Sequence, residues 1–116
     1  MNQKQRLDDK DANSFIASVS RRKRWAVNPD AAFVEILSRG LAANRSRFGY
    51  YQCPCRVSWD GDREKDKDII CPCAYSDADV REHGHCFCGL FLSDDYLRSG
   101  RHVAQIPERR PDERFP

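Results

Sequence analysis

The sequence predicts one small, mainly α-helical domain folded around a set of metal-binding thiolates, and three observations carry that expectation. At 116 residues and 13.4 kDa the chain has room for one core and not for two ordinary domains. Helix-type patterning fills its first half, and the one strong strand-like run comes late. All six cysteines fall between Cys53 and Cys88, in three C-x-C pairs.

Composition sets the class. With 40% hydrophobic and 33% charged residues, and 20 Lys and Arg against 18 Asp and Glu, the chain is neither an acidic disordered tail nor a collagen-like fibre. A net charge of +2 gives no reason to expect nucleic acid as a partner. No run approaches the roughly 20 apolar residues that cross a bilayer. The charged start (Lys4, Arg6, Asp8, Asp9, Lys10) lacks the apolar stretch of an export signal. The expected location is therefore cytoplasmic, with no membrane partner.

Residues 1–12 are polar without periodicity and read as a mobile N-terminus. The domain proper is expected over 13–106, and the Pro-rich, charged stretch 107–116 as an extended surface tail. A first helix is expected from Asn13, capped by Ser14, with Phe15, Ile16 and Val19 as its apolar stripe. The basic run Arg21–Arg24 suits its C-terminal dipole and reads as a solvated helix end. Asn28 as cap and Pro29 at the first helical position start a second helix. Its apolar face is Phe33, Val34, Ile36, Leu37 and Leu41, through about Ala43. Gly40 weakens that helix unless a neighbour packs closely on it.

The stretch from Asp60 to Asp68 is nearly all charge and is expected as an exposed loop or short surface helix. Ser76 to Glu82 reads as one or two helical turns capped by Ser76 or Asp77, broken by His83-Gly84-His85. Gly89-Leu90-Phe91-Leu92 is the buried extended run.

The cysteine pattern is Cys53-Pro54-Cys55, fifteen residues, Cys71-Pro72-Cys73, twelve residues, Cys86-Phe87-Cys88. Disulfides within a C-x-C pair are geometrically poor, because neighbouring extended positions send side chains to opposite faces. A long-range framework, with its 15 connectivities, belongs to oxidising compartments. Metal ligation is the better reading, since thiolates select zinc or iron-sulfur. The usual zinc spacing is C-x2-C, which favours a cluster over zinc. Four ligands would leave two cysteines over, enough for a redox dithiol.

Cys53-Pro54-Cys55-Arg56, Cys71-Pro72-Cys73 and Cys86-Phe87-Cys88, followed by Leu90-Phe91-Leu92, resemble the catalytic (beta) chain of ferredoxin:thioredoxin reductase and the related ferredoxin:disulfide reductases. The resemblance runs from the helix between Val27 and Phe48 to Asp94. It implies a small, mainly α protein, a helical disc built around a 4Fe-4S cluster. It implies Cys53, Cys71, Cys73 and Cys86 as cluster ligands and a redox-active disulfide between Cys55 and Cys88. Cys55 would be the exposed nucleophile and Cys88 would lie against the cluster. The implied partners are a ferredoxin-type electron donor, a thioredoxin or glutaredoxin-like disulfide substrate and, in some members, a variable second subunit. The implied reaction splits a two-electron reduction of a disulfide into two one-electron deliveries.

This chain departs from the family in one place that bears on chemistry. The family's last pair is C-H-C with a proton-handling histidine, and here that position is Phe87; His85, with His83 behind it, is the expected substitute. Arg56 is expected to favour the Cys55 thiolate, and Tyr50, Tyr51, Trp59, Phe87 and Phe91 to shield the cluster. Arg21–Arg24 and Arg45–Arg47 would steer an acidic donor. Two alternatives from other classes are a zinc-binding protein- or nucleic-acid-interaction module, and a non-catalytic 4Fe-4S electron carrier or redox sensor.

Overall fold

Helix α1 spans Gln3–Lys23, beginning well before the periodicity becomes apolar. A capping box explains the early start: Asn2 Oδ1 accepts from Gln5 N at 2.8 Å, and Gln5 Oε1 accepts from Asn2 N at 3.1 Å. With orphan amides satisfied reciprocally, a polar stretch continues the helix at no cost in burial. The expected mobile start is thus corrected. Residues 3–12 are helical, Ser14 lies inside the helix rather than capping it, and Met1 is outside the residues 2–116 that the computed structural model describes.

Helix α2, Ala31–Phe48, is capped by Asp30, whose Oδ1 accepts from Phe33 N at 3.1 Å. Asn28 does other work: its Oδ1 accepts from Asp30 N at 2.9 Å and its Nδ2 donates to Gly89 O at 2.8 Å. It thereby ties the start of α2 to the third cysteine pair. The two long helices run antiparallel, with Lys4 reaching Ser46, Asp9 near Arg39 and Ser38 Oγ donating to Asn13 Oδ1 at 2.7 Å. Ala12, Ile16 and Val19 meet Leu37, Leu41 and Ala42 in the core between them.

After α1 the chain turns through Arg24 (φ 58°) into β1, Ala26–Val27. This strand pairs antiparallel with β2, Phe91–Leu92, in the register Ala26↔Leu92 and Val27↔Phe91. The late apolar run is therefore extended and buried, as its composition indicated. Helix α3 covers Ser76–His83 and ends at Gly84. Neither Ser76 nor Asp77 caps it; the cap position is Tyr75, without a side-chain bond. Helix α4, Asp94–Ser99, carries too few apolar residues to be read from periodicity, and Ser93 caps it by accepting from Tyr96 N at 3.1 Å. Principal extents of 37 × 37 × 23 Å give the molecule the form of a disc.

The highly charged stretch is not wholly exposed. Asp66 and Asp68 are buried, at 0% and 7% exposure, and buried charges persist only where they are paired. Asp66 accepts from Ser58 Oγ at 2.6 Å and Trp59 N at 3.0 Å. Asp68 accepts from the Tyr75 hydroxyl at 2.7 Å and Arg110 Nε at 2.9 Å. Arg110 itself is buried and also donates to Val57 O at 2.8 Å. The C-terminal segment is thus anchored rather than a free surface tail. Arg109 pairs with Asp79 and Glu82, and Arg114 pairs with Asp68 while its carbonyl accepts from Trp59 Nε1.

Two expectations follow. A Cβ on Gly40 would lie 2.9 Å from Pro54 Cβ, so the glycine permits α2 to touch the first cysteine loop. Gly40→Ala gains helix propensity but overpacks a rigid ring, and should destabilise by about 1–2 kcal/mol, read by chemical denaturation. Burial would raise the Asp68 carboxyl, but the bonds from Tyr75 and Arg110 prevail and hold it below its usual range. Its contribution is therefore complete above the ordinary carboxylate pKa of about 3.9 and is lost as pH falls through the lower folded value. Asp68→Asn should cost about 3 kcal/mol near neutral pH and flatten the acid limb of a Tm-against-pH curve.

Candidate functional site

The three C-x-C pairs converge because the first cysteine of each is pinned by its own backbone. Cys53 N donates to Ile69 O at 2.8 Å, Cys71 N to Tyr51 O at 2.7 Å and Cys86 N to Phe91 O at 3.0 Å. The residues just ahead of the pairs make isolated bridges, Gln52 with Ile70 and His85 with Leu92. Gly89 (φ 78°) closes the third loop, its N–H donating to Cys86 O at 2.9 Å. That turn puts Cys86 Sγ and Cys88 Sγ 3.8 Å apart on one side, whereas an extended pair would splay them.

Cys53, Cys71, Cys73, Cys86 and Cys88 line one small cavity with Pro72, Ser76, Phe87 and Phe91, leaving about 10 Å³ of free space. Cys55 is outside this lining and exposed. All six side chains are free thiols. Among the described residues, no three or more His, Cys, Asp or Glu side chains are grouped as they would be around a metal ion; the sulfurs contact one another instead. Hydrogen bonds from Cys55 and then Cys88 hold Cys53 well below the usual thiol range, against its burial. The bond to Cys53 pushes the Cys55 thiol up to about 12. Cys88, bonded to Cys53, Cys55 and Cys86, is pushed well up, and its bond lowers Cys86. Burial raises Cys71 well above its ordinary value, reinforced by the charges of Cys53, Cys86 and Cys73. Burial also raises Cys73, opposed by the Ser76 hydroxyl and Arg56.

The donor chemistry suits a soft, thiophilic metal group. Five thiols (Cys53, Cys71, Cys73, Cys86 and Cys88) line the cavity and no carboxylate does, a set that hard, oxygen-seeking cations do not select.

Arg56 does not serve the cysteine beside it in sequence. Its side chain is 1% exposed, donates from Nη2 to Cys73 Sγ at 3.8 Å and pairs through Nη1 with Glu108. The guanidinium lies over the Phe87 ring at 4.3 Å and the Tyr75 ring at 5.1 Å. The expected effect on Cys55 is corrected: the cation acts on Cys73 and Cys53.

His85 is 1% exposed and both ring nitrogens are occupied. Nδ1 donates to Cys86 O at 2.7 Å and Nε2 accepts from Ala104 N at 3.3 Å. This geometry gives it a structural place under the third loop rather than a free nitrogen toward the thiols. His83 is half-buried at the end of α3, near Glu82. Of the five aromatic residues expected to shield the site, Phe87 and Phe91 line the cavity. Tyr51 stacks on Phe15, Tyr50 on Phe48, and Trp59 bonds the C-terminal segment. In the basic runs, Arg22 is near enough to lower Cys71, Lys23 pairs with Asp77, Arg45 covers Tyr51 and Arg47 pairs with Asp60.

Contacts that the sequence does not point to include Glu108 on Arg56, Ser76 at 3.1 Å from Cys73 Sγ, and Asn28 on Gly89 O. Local pattern marks Ser76 and Asn28 only as helix caps, and nothing marks Glu108.

The sequence profile of the ferredoxin thioredoxin reductase catalytic beta chain family matches residues 2–109. Among known relatives, the ferredoxin-thioredoxin reductase catalytic chain of Guillardia theta is 30% identical over 82 residues, 70% of this chain and 76% of the relative. That of Synechocystis sp. is 30% identical over 83 residues, 71% of this chain and 67% of the relative. The chloroplastic catalytic chain of Spinacia oleracea is 33% identical over 73 residues, 62% of this chain and 48% of the relative.

With Cys55 exposed and the other five sulfurs facing the cavity, a bulky maleimide applied to folded, metal-free protein should label Cys55 before any other cysteine. Peptide mass mapping checks this, and first labelling at Cys73 or Cys86 would contradict the arrangement.

Proposed function

We infer the function from membership, for this chain belongs to the ferredoxin thioredoxin reductase catalytic beta chain family. We propose a 4Fe-4S disulfide reductase. Electrons would come singly from a ferredoxin-type donor and leave as a pair to a thioredoxin or glutaredoxin-like disulfide, with a variable second subunit as a further partner. The proposed setting is a reducing compartment such as the cytoplasm, and among the described residues no helix is long and apolar enough to cross a membrane.

One observation carries the reading: five cysteines line one cavity while the sixth, Cys55, two residues from Cys53 in the same loop, is exposed. Cys53, Cys71, Cys73 and Cys86 would hold the cluster, leaving Cys55 and Cys88 as the dithiol. The cluster, when bound, would supply one-electron storage at low potential. Cys55, the accessible thiol, would give its proton to solvent and attack one sulfur of the target disulfide as thiolate, forming a mixed disulfide and releasing the target's other sulfur as thiolate. The Cys88 thiolate then attacks the Cys55 sulfur, forming the Cys55–Cys88 disulfide and releasing the second target thiolate. The target has gained two electrons and takes up two protons; two one-electron deliveries restore the dithiol. Phe87 and Phe91 keep water from the inner sulfur, and the exposed position of Cys55 lets protons exchange with solvent.

Iron, zinc and acid-labile sulfide per chain, on protein purified without oxygen, test the proposal. About four irons and four sulfides are expected, and one zinc without sulfide overturns it in favour of the zinc module. Cys55→Ser and Cys88→Ser should keep the iron and abolish disulfide reduction, whereas Cys53→Ser and Cys71→Ser should lose the iron. Continued turnover in Cys55→Ser would leave a carrier rather than a reductase.

A further inference from the structure

The surroundings of Arg56 are hard to explain as structural support alone. Its side chain is 1% exposed, and a guanidinium cannot shed its charge to escape the cost of burial. An arginine placed for stability is expected to satisfy its five N–H donors. Here Nε has no partner, a single carboxylate, Glu108, meets Nη1, and Nη2 is turned to the Cys73 sulfur at 3.8 Å. The plane is held between the faces of Phe87 and Tyr75, at 4.3 and 5.1 Å to their centroids. Two rings in these positions fix the guanidinium and exclude the water that would otherwise screen it.

We propose that Arg56 is a positioning residue that sets the charge of the cysteine cavity, a fixed cation on its Cys73 side whose strength is trimmed by Glu108 from the C-terminal segment. The inference rests on the reading of the cavity as the holder of a redox-active metal group. A cation beside a ligand sulfur stabilises the more negative, reduced state of whatever that sulfur binds, and so raises its midpoint potential. Glu108 acts in the opposite sense. Its Oε1 also accepts from Arg110 N at 2.8 Å, so the carboxylate is held in place by the segment it comes from, and that segment is anchored by Arg110 on Asp68. Phe87, between two cysteines, is then explained as the plate on which the cation rests.

The test is the midpoint potential of the iron-loaded protein, read by EPR-monitored redox titration, with iron counted on every sample. Arg56→Met, which keeps an apolar chain between the rings, should shift the potential to more negative values. Glu108→Gln, which leaves the cation in place, should shift it to more positive values, and Arg56→Lys should fall between wild type and Arg56→Met. If Arg56→Met does not fold, the sign of the Glu108→Gln shift decides alone. Potentials that coincide across the iron-loaded variants, with only Tm lowered, assign Arg56 a structural role and overturn the proposal while leaving the reductase reading standing. A wild-type protein that takes up no iron overturns both.

Discussion

Three backbone amides govern the arrangement on which the chemistry depends. Cys53, Cys71 and Cys86 each donate an N–H to a carbonyl on another segment of chain, and these bonds turn three loops toward one centre. Regular structure alone would not achieve this, because among the described residues the only sheet is a two-residue pair, β1 with β2. The rest of the fold supports those bonds. β2 carries the carbonyl that receives Cys86, Asn28 holds the third loop from the start of α2, and the missing side chain of Gly40 lets α2 seat Pro54 of the first. Antiparallel packing of α1 on α2 supplies the apolar burial, roughly 25 cal/mol per Å². The cysteine loops, polar in backbone and poor in regular structure, are organised against that support.

Buried charge closes the structure from the other end of the chain. Arg56 and Arg110 are both buried, and Glu108 Oε1 accepts from the side chain of the first and the backbone of the second. The C-terminal segment therefore joins two buried cations, one at the cysteine cavity and one on the Asp66–Asp68 loop. A domain boundary at residue 106 would cut through this network, leaving Arg56 without its carboxylate and Asp68 without its guanidinium. Unpaired buried charges cost several kcal/mol each, so the segment after Ile106 belongs to the folded unit energetically, although its sequence is that of a tail.

What the sequence disclosed follows from which signals are local. The helix break at Gly84 and the extended Phe91–Leu92 run are written in short-range patterns of size and polarity and are found where the pattern puts them, whereas the α2 stripe holds only in part: Leu37 and Leu41 are buried, but Ile36 is 69% exposed and Ser38 is buried in its place, bonded to Asn13. The C-x-C pairs and their neighbours disclose the family for a similar reason, since each pair is a contiguous motif. Most of the misses are long-range. Asp66 and Asp68 look solvated until Arg110 arrives from more than forty positions away, and Arg56 looks like a modifier of Cys55 until Cys73 and Glu108 meet it. Residues 3–12 lack an apolar stripe, and only the Asn2–Gln5 cap, itself a short motif, foretells their helix. Proximity along the chain puts His85 beside the thiols, whereas Ala104 and the Cys86 carbonyl hold its two ring nitrogens.

The difference in surroundings between Cys55 and Cys88 gives the proposed reaction its direction. A dithiol that takes electrons from a buried group and gives them to another protein needs one sulfur near each, and the two must remain within reach of each other. Here Cys88 lines the cavity with Cys53, and Cys55, in the same loop as Cys53, faces solvent. In the proposed reaction protons follow the electrons, and His85, Phe87 and Arg56 do not relay them: both nitrogens of His85 are committed to backbone groups, Phe87 is apolar and Arg56 keeps its charge. The outer sulfur, Cys55, is the one that meets solvent. On the proposed reading the inner end of the dithiol has charge held in place beside it, by Arg56 against Phe87 and Glu108, and the outer end is open to water and a partner.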